Sequence, residues 1–397
     1  MTSARPGVLM VTGAYMPELS GAGLQCREIV RQLRDAASFM ILTTGTDRSL
    51  PADDECDGVP VHRVFVDPAS AWSKLAAAWR MTRFVVTRRR RFSILHLHGF
   101  SQKSIVLVIL GVLLRKRIAI TLTSVGNDDP ISMRTRGRLT YWCYSRARAF
   151  FGVSPGFQPL YDASGLPASR FRVIPNGVNL ERFHPASADE RRALRRALGL
   201  PPDATMILFI GFFSREKSPD VLFDAWARLA AGGDASSILV LVGATQSSYY
   251  EVDANLAVEI RQRASAMGLT DRIYFPGVTR EIENYHRAAD IYVLPSVREG
   301  LPCALQEAMA CGTACIASRL PGVTDVLIDD GISGLLLPPR DVPALRDALS
   351  GLVSHPERAR AMGERAHQRI VRDYAMAATA RQYLAGYLEL ETASVRA

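Results

Sequence analysis

Lysine is scarce in this chain: only Lys74, Lys103, Lys116 and Lys217 stand among 48 basic residues, so arginine carries the formal charge of +9. Long apolar runs are missing as well. The longest, Ile105 to Leu114, reaches about half of the roughly 20 residues that a membrane span needs, and it is expected as a buried helix. The opening MTSARPGVLMVTGAY has no separate apolar region followed by a cleavage site, which predicts cytoplasmic residence. The six cysteines include Cys311 and Cys315 but no Cys-x-x-Cys pair, so reduced, structural thiols are expected. Low-complexity tracts and short repeats are absent too. What remains is a globular composition, 48% hydrophobic and 22% charged, in a chain of 397 residues; that length exceeds a usual single core and predicts two domains.

A net positive charge admits nucleic acid or an anionic membrane as a partner. No nucleic-acid recognition motif accompanies it, and none is expected to be bound. The densest cluster, Arg80 to Arg91, follows an amphipathic stretch holding Trp72 and Trp79. Such a segment fits peripheral contact with the inner face of the cell membrane; it fits an ordinary solvated helix face equally well.

Strand-like runs alternate with helix-length segments, the pattern of parallel sheets in an α/β protein. Val8–Val11, Phe39–Leu42, Ile94–Leu97, Ile118–Leu122 and Phe150–Val153 form a first series. Met206–Ile210, Ile238–Val242, Ile273–Phe275, Ile291–Leu294, Cys315–Ala317 and Gly334–Leu337 form a second. Two Rossmann-like units in tandem are predicted. The turn-rich residues between Arg172 and Pro185 suit a crossing from one to the other.

The stretch from Pro295 to Pro339 is the most informative. Strand Ile291–Leu294 delivers its carboxyl end to Pro295-Ser296, and a helix is predicted from Leu301 to Ala310, with Pro302 in its first turn and Gly312 just past its end. Amides at 301–304 would then favour phosphate through unpaired donors and the positive helix end. Glu299 and Glu307 flank that start, eight positions apart. Two bare glutamates at this spacing also fit a cap and a solvated loop residue.

The ordered set Ala289-Asp290-Ile291, Pro295-Ser296, Glu299-Gly300-Leu301-Pro302, Glu307-Ala308-Met309-Ala310, Gly312, Gly322, Gly331 and Gly334-Leu335-Leu336 resembles the donor-binding region of glycosyltransferase family 4. The resemblance implies a GT-B fold, with two Rossmann-like domains facing across a cleft and a final helix, from about Met376 to Ala397, packing back on the first. Residues 1–178 with that helix would be the acceptor domain and 179–375 the donor domain. It implies transfer of a sugar from a nucleoside-diphosphate sugar to a hydroxyl of a glycan, lipid-linked or small-molecule acceptor, with retention of anomeric configuration. The departing phosphate would take the acceptor proton, and domain closure would exclude water. No further cofactor and no catalytic metal are implied. Alternatives are a sugar-nucleotide epimerase or hydrolase of the same fold, and a non-catalytic partner subunit that binds a nucleotide sugar.

By the same resemblance Glu307 accepts ribose hydroxyls and Glu299 meets the sugar, while Gly300, Leu301, Pro302 and Cys303 form the phosphate-facing turn and Gly277 lines the base pocket. Gly211-Phe212-Phe213-Ser214-Arg215-Glu216-Lys217 is similar to a glycine-arginine-x-x-x-x-lysine signature for the diphosphate. Gly211 and Lys217 match, Phe212 stands in the arginine's place, and Arg215 is the candidate replacement cation. In the first domain, Gly21-Ala22-Gly23 invites a dinucleotide reading, but Cys26 occupies the third glycine position and disfavours a dehydrogenase; the resemblance instead implies that Gly21 lets the backbone approach the donor phosphate or the acceptor. The histidine that the family commonly places after a late strand of that domain is absent. Thr123, Ser124, Asp128 or Asp129 are left for its role, or none of them, with His98 at a neighbouring strand end. Ser124 and His98 are carried forward beside Glu299 and Lys217 as candidate catalytic groups.

Overall fold

A computed structural model describes residues 5–18, 20–245 and 252–392, and within it the chain separates into two compact units, Met1–Gly177 with Met376–Ala397 and Val178–Ala375.

In the first unit the chain runs β1 (Gly7–Thr12), α1 (Gly21–Leu33), β2 (Ser38–Gly45), β3 (Asp53–Cys56), β4 (Val59–Phe65), α2 (Ala71–Thr87), β5 (Ile94–His98), α3 (Gln102–Leu113), β6 (Arg117–Leu122), α4 (Pro130–Thr135), α5 (Arg138–Tyr144), β7 (Ala149–Gly152), α6 (Gln158–Asp162) and β8 (Phe171–Val173). The sheet order is β3-β4-β2-β1-β5-β6-β7-β8, parallel except for the antiparallel β3–β4 pair. The five expected strands are present, and β3, β4 and β8 are additional. β3 reads Asp-Asp-Glu-Cys, a composition that strands avoid. It forms because Asp57 and Gly58 both take positive φ, a two-residue hairpin turn, and because Asp53 meets His62 at 2.8 Å and Asp54 meets Arg63 at 2.6 Å across the pair. Its charges also guard the open sheet edge.

The Ile105–Leu114 run is a half-buried helix rather than a buried one. Leu107 and Val108 face the core, while Val112 and Leu113 are exposed.

The second unit runs α7 (Ala188–Ala197), β9 (Thr205–Ile210), α8 (Pro219–Ala231), β10 (Ser237–Val242), α9 (Ala254–Ala266), β11 (Ile273–Gly277), α10 (Ile282–Ala288), β12 (Ile291–Leu294), α11 (Cys303–Ala310), β13 (Ala314–Ser318), β14 (Leu335–Leu337), α12 (Val342–Val353) and α13 (Pro356–Asp373). All six strands of the second series form one sheet in the order β11-β10-β9-β12-β13-β14, with every pair parallel. Strands this apolar are buried on both faces, and Leu222, Phe223, Trp226, Leu256 and Leu349 from the helices close over them. Because all strands run one way, every carboxyl end lies on one edge, where the loops that carry chemistry gather.

The chain then returns to the first unit as α14 (Met376–Thr392); residues 393–397 of the expected helix lie outside the described residues. α14 packs on α1 and inserts Tyr383, Tyr387 and Leu390 into the first core. The last residue before the crossing is fastened from both sides: Gln25 Nε2 donates to the Gly177 carbonyl at 2.9 Å, and Gly177 N–H donates back to Gln25 Oε1 at 3.1 Å. A Cβ at Gly177 would come within 2.6 Å of the Met376 backbone, so only glycine fits there.

Candidate functional site

At the carboxyl edge of the second unit, the loops after the neighbouring strands β9 and β12 are tied together. Val297 N–H donates to the Glu216 carbonyl at 2.8 Å, and Arg298 reaches the Glu216 carboxylate at 2.8 Å. Beside them, Lys217 Nζ lies 2.7 Å from Glu299 Oε1. Glu299 is 9% exposed, so this charge-assisted pair sits in a low-dielectric setting where it is stronger than on the surface. The resemblance gives Lys217 to the diphosphate and Glu299 to the sugar. The fold brings them into one cluster.

The helix after this loop starts later than expected. α11 begins at Cys303, and Pro302 is its N-cap with extended backbone (φ −71°, ψ 109°) rather than a residue of its first turn. Gln306 donates the first ladder bond, to the Pro302 carbonyl at 3.2 Å, so the amides ahead of it point out of the helix end, beside Glu299. Gly300 and Leu301 form the buried turn between. Glu307, one turn into α11, faces His286 of α10, whose Nε2 is 3.4 Å from Glu307 Oε2.

Beneath the two glutamates lie polar groups that sequence reasoning missed. Tyr292 Oη and Ser296 Oγ are buried without a hydrogen-bond partner among the described residues, and so are both ring nitrogens of His286. Burial drives the Tyr292 phenol far above its ordinary pKa, and the carboxylates of Glu299 and Glu307 push it the same way. Tyr292 is therefore a neutral donor held between both glutamates. Buried polar atoms are almost always paired in folded proteins, so such a cluster marks a place where a ligand's polar groups complete the bonding. A polar tyrosine inside an otherwise apolar strand was the available signal.

Three glycines line the same edge. Gly211 N–H donates to the Val242 carbonyl at 3.0 Å, and Gly243 N–H donates to the Gly277 carbonyl at 3.0 Å. A Cβ on Gly243, at φ +148°, would lie 1.8 Å from the Gly211 carbonyl oxygen, so Gly243, which the sequence reading passed over, is what lets the ends of β9 and β10 approach. Gly277 has open space where a Cβ would stand.

Arg215, the expected replacement cation for the diphosphate, is directed elsewhere. Its guanidinium meets Asp220 at 3.2 Å, Asp253 at 3.4 Å and Glu259 at 2.8 Å. Three carboxylates already offset its charge, whereas Lys217 meets Glu299 within the loop cluster.

The first unit's carboxyl edge is built differently. Burial pulls His98, at the end of β5, down to a pKa of about 4, so it is neutral at physiological pH, and its Nε2 has no partner among the described residues. His96 is engaged in the core, with Tyr387 Oη at 2.8 Å and Thr121 Oγ1 at 2.8 Å. After β6, Asp128 accepts from Thr123 N–H at 2.8 Å, Thr123 Oγ1 at 2.8 Å and Ser124 N–H at 3.0 Å. Burial raises this carboxyl to about 6. Asp129 caps α4 through Ser132 N–H at 2.9 Å. Both aspartates thus hold the loop, and Ser124 and His98 remain as the groups at this edge.

Two further residues refine the picture there. Gly23, not Gly21, is the glycine that packing requires: a Cβ on it would lie 2.3 Å from the Ala14 carbonyl oxygen, whereas Gly21, at the start of α1, has open space. Cys26 is buried in the core, in the place of a third dinucleotide glycine. Lys103 donates to the Thr12 carbonyl at 2.9 Å and to Thr44 Oγ1 at 2.8 Å, at the ends of β1 and β2. Burial lowers this amine to about 8. It is a cation at the edge that no motif announced.

The fold is that of GT-B glycosyltransferases. Anabaena HepE, solved in complex with UDP and glucose, matches 97% of this chain and 99% of its own at a TM-score of 0.79 and 18% identity. Sucrose-phosphate synthase from Thermosynechococcus elongatus matches 98% of this chain and 100% of its own, with a TM-score of 0.80 and 23% identity. Two family models cover the units in turn, a glycosyl transferase 4-like domain over residues 20–177 and glycosyl transferases group 1 over residues 190–369. The chain belongs to glycosyltransferase family 4. A D-inositol 3-phosphate glycosyltransferase of Saccharomonospora viridis is 36% identical over 203 residues, which is 50% of this chain and 44% of that protein. D-inositol 3-phosphate glycosyltransferase 2 of Catenulispora acidiphila is 34% identical over 213 residues, 52% of this chain and 48% of its own. The chain thus spans about half the length of the curated relatives it matches. Among the described residues, no helix is long and apolar enough to cross a membrane.

Proposed function

We propose that the chain transfers a sugar from a nucleoside-diphosphate sugar to an acceptor hydroxyl with retention of configuration. The observation that carries this reading is the Lys217–Glu299 pair at 2.7 Å, set beside the N-terminus of α11 and above the unpartnered Tyr292 hydroxyl. A donor diphosphate exchanges for the carboxylate at Lys217, with α11's amides as a second anion contact. Glu299, released from the lysine, accepts from sugar hydroxyls, and Glu307 accepts from the ribose. Gly211, Gly243 and Gly277 admit the nucleoside against bare backbone. The leaving phosphate gains charge as the anomeric bond breaks, and fixed donors aimed at it lower that barrier most. It also takes the acceptor proton, so no separate strong base is needed at Ser124 or His98; these two orient the acceptor. The charge supplied by Lys217 and the helix end makes a divalent metal unnecessary, and transfer withstands EDTA.

HepE's complexes with UDP and with UDP-glucose put uridine first among the donors to try. The acceptor is a glycan, a lipid-linked sugar or a small polyol, and peripheral contact with an anionic membrane belongs to the same reading.

The test is calorimetric binding of UDP-, GDP- and ADP-sugars, followed by mass spectrometry and NMR of products formed with the best donor. One donor binds and its sugar appears on an acceptor with unchanged anomeric configuration. Absence of binding for every donor overturns the proposal, and so does an inverted product. Release or epimerisation without acceptor would show a different chemistry at the same site.

A further inference from the structure

From Pro68 to Tyr161 the chain holds sixteen lysines and arginines and only two acidic residues, Asp128 and Asp129. Both aspartates are buried. The surface of this stretch is therefore basic without interruption, and its charge exceeds that of the whole molecule. Among the described residues, only Arg88 and Arg117 of the sixteen come within ion-pair distance of a carboxylate.

The same stretch carries exposed apolar surface. α2 packs on α3, and α3 packs on α5, so the three helices form one layer over the sheet. Along α2 the exposed residues Trp72, Leu75, Trp79 and Val86 recur at helical spacing and form a single stripe. Val112 and Leu113 are exposed on α3, and Leu139 and Trp142 on α5. Three of the four tryptophans in the chain stand on this layer, Trp72 at 82%, Trp79 at 64% and Trp142 at 41% exposure; the fourth, Trp226, is fully buried in the other unit. Arg83 lies 6.0 Å from the Trp79 ring and Arg146 4.6 Å from the Trp142 ring. Indoles flanked by guanidinium groups suit a bilayer's headgroup level, where an apolar body and a polar edge are both accommodated. The ends of α2 and α3 are knotted into one basic corner, because Lys116 donates to the carbonyls of Arg89 and Phe92.

We propose that the α2–α3–α5 layer is a docking face for an anionic phospholipid bilayer, with Trp72, Trp79, Leu113 and Trp142 entering the interface and Arg80, Arg83, Arg89, Arg90, Arg91, Arg115 and Arg146 meeting lipid phosphates. Scattered single hydrophobics need no explanation, but a contiguous stripe does. Unpaired arginines around it select an anionic partner over a second copy of this equally basic face. The inference deepens the peripheral contact proposed above and is independent of the donor chemistry.

The experiment is flotation of the full chain with vesicles of phosphatidylcholine alone and with about one third phosphatidylglycerol, at low and high salt. The chain floats with the anionic vesicles, less so at high salt, and its tryptophan emission shifts to the blue. Arg89→Ala/Arg90→Ala/Arg91→Ala weakens vesicle binding about a hundredfold. Trp72→Ala/Trp79→Ala/Trp142→Ala abolishes the shift, since Trp226 is already buried. Both triple variants keep nucleotide-sugar affinity, which shows that they are folded. Equal flotation with neutral vesicles, no flotation at all, or unaltered binding by both variants overturns the proposal. Self-association through the tryptophans, or nucleic-acid binding in place of vesicle binding, overturns it as well. If vesicles bind and no nucleotide sugar does, the sugar-transfer reading fails while the docking face stands.

Discussion

The two carboxyl edges handle charge in opposite ways. In the second unit a cation and a carboxylate, Lys217 and Glu299, already meet at 2.7 Å, and under the proposed function an arriving diphosphate and sugar would each find a charged partner by exchange. In the first unit burial keeps His98 neutral, raises Asp128 to about 6 and lowers Lys103 to about 8. The lesson is that one edge is built from ionised side chains that meet, whereas the other is assembled from groups whose charge the fold holds back; the proposed function assigns the first to the donor and the second to the acceptor.

Breaking the charged edge has the largest expected effect. Lys217→Ala lowers the transfer rate about 10²–10³-fold, the usual cost of removing one aligned transition-state donor. It also leaves Glu299 buried without its cation, destabilising the second unit by about 1–3 kcal/mol. Lys217→Ala/Glu299→Gln regains that stability in urea unfolding without regaining activity. A rate that survives Lys217→Ala would put the diphosphate cation elsewhere.

Acid is the corresponding probe of the first unit. His98 has a depressed pKa in the folded state, so its contribution is complete above about 6.5 and is lost as the pH falls toward 4. Asp128 acts in the opposite sense: its folded pKa is raised, so its contribution is present at low pH and disappears as pH rises through about 6. Asp128→Asn removes that opposition, and His98 should then cost the first unit about 3 kcal/mol between pH 6.5 and 4; His98→Gln removes that part and leaves the loss due to His96, whose ring burial also pulls well below its ordinary pKa. Hydrogen exchange resolved by unit is the measurement, and a loss confined to the second unit would contradict the assignment.

Smaller effects sharpen the contrast within the second unit. Tyr292→Phe removes a hydroxyl that has no partner among the described residues, so the melting temperature stays level or rises while donor affinity falls roughly fivefold. Arg215→Ala changes donor affinity less than about twofold, because its exposed ion pairs are worth little. Titration calorimetry on both variants ranks them, and the reverse order would restore Arg215 as the diphosphate ligand.

Most of the second unit could be read from sequence because its signals are local. Apolar runs such as Ile291–Leu294 mark fully buried parallel strands, and Glu299, Lys217 and Glu307 sit at fixed offsets from strand ends. The start of α11 was misplaced because Pro302 suits a first turn and an N-cap alike. The ion pairs of Arg215 were not legible because Asp253 and Glu259 reach it from the start and body of α9, far along the chain. β3 was hidden by its acidic composition, although Asp57-Gly58 between flanking runs was a usable hairpin signal. Tyr292, Ser296 and His286 acquire meaning only through burial, which no spacing reveals.

α14 also bears on how the chain is made. Its Tyr383, Tyr387 and Leu390 belong to the core of the unit that is synthesised first, and His96, in the middle of that unit's sheet, bonds to Tyr387. During translation the earlier unit therefore lacks part of its interior until the whole of the later unit has been read, while all of the later unit's strands are already available. Completion order is the reverse of birth order, and the nascent amino-terminal half is the part of this chain with most need of chaperone cover.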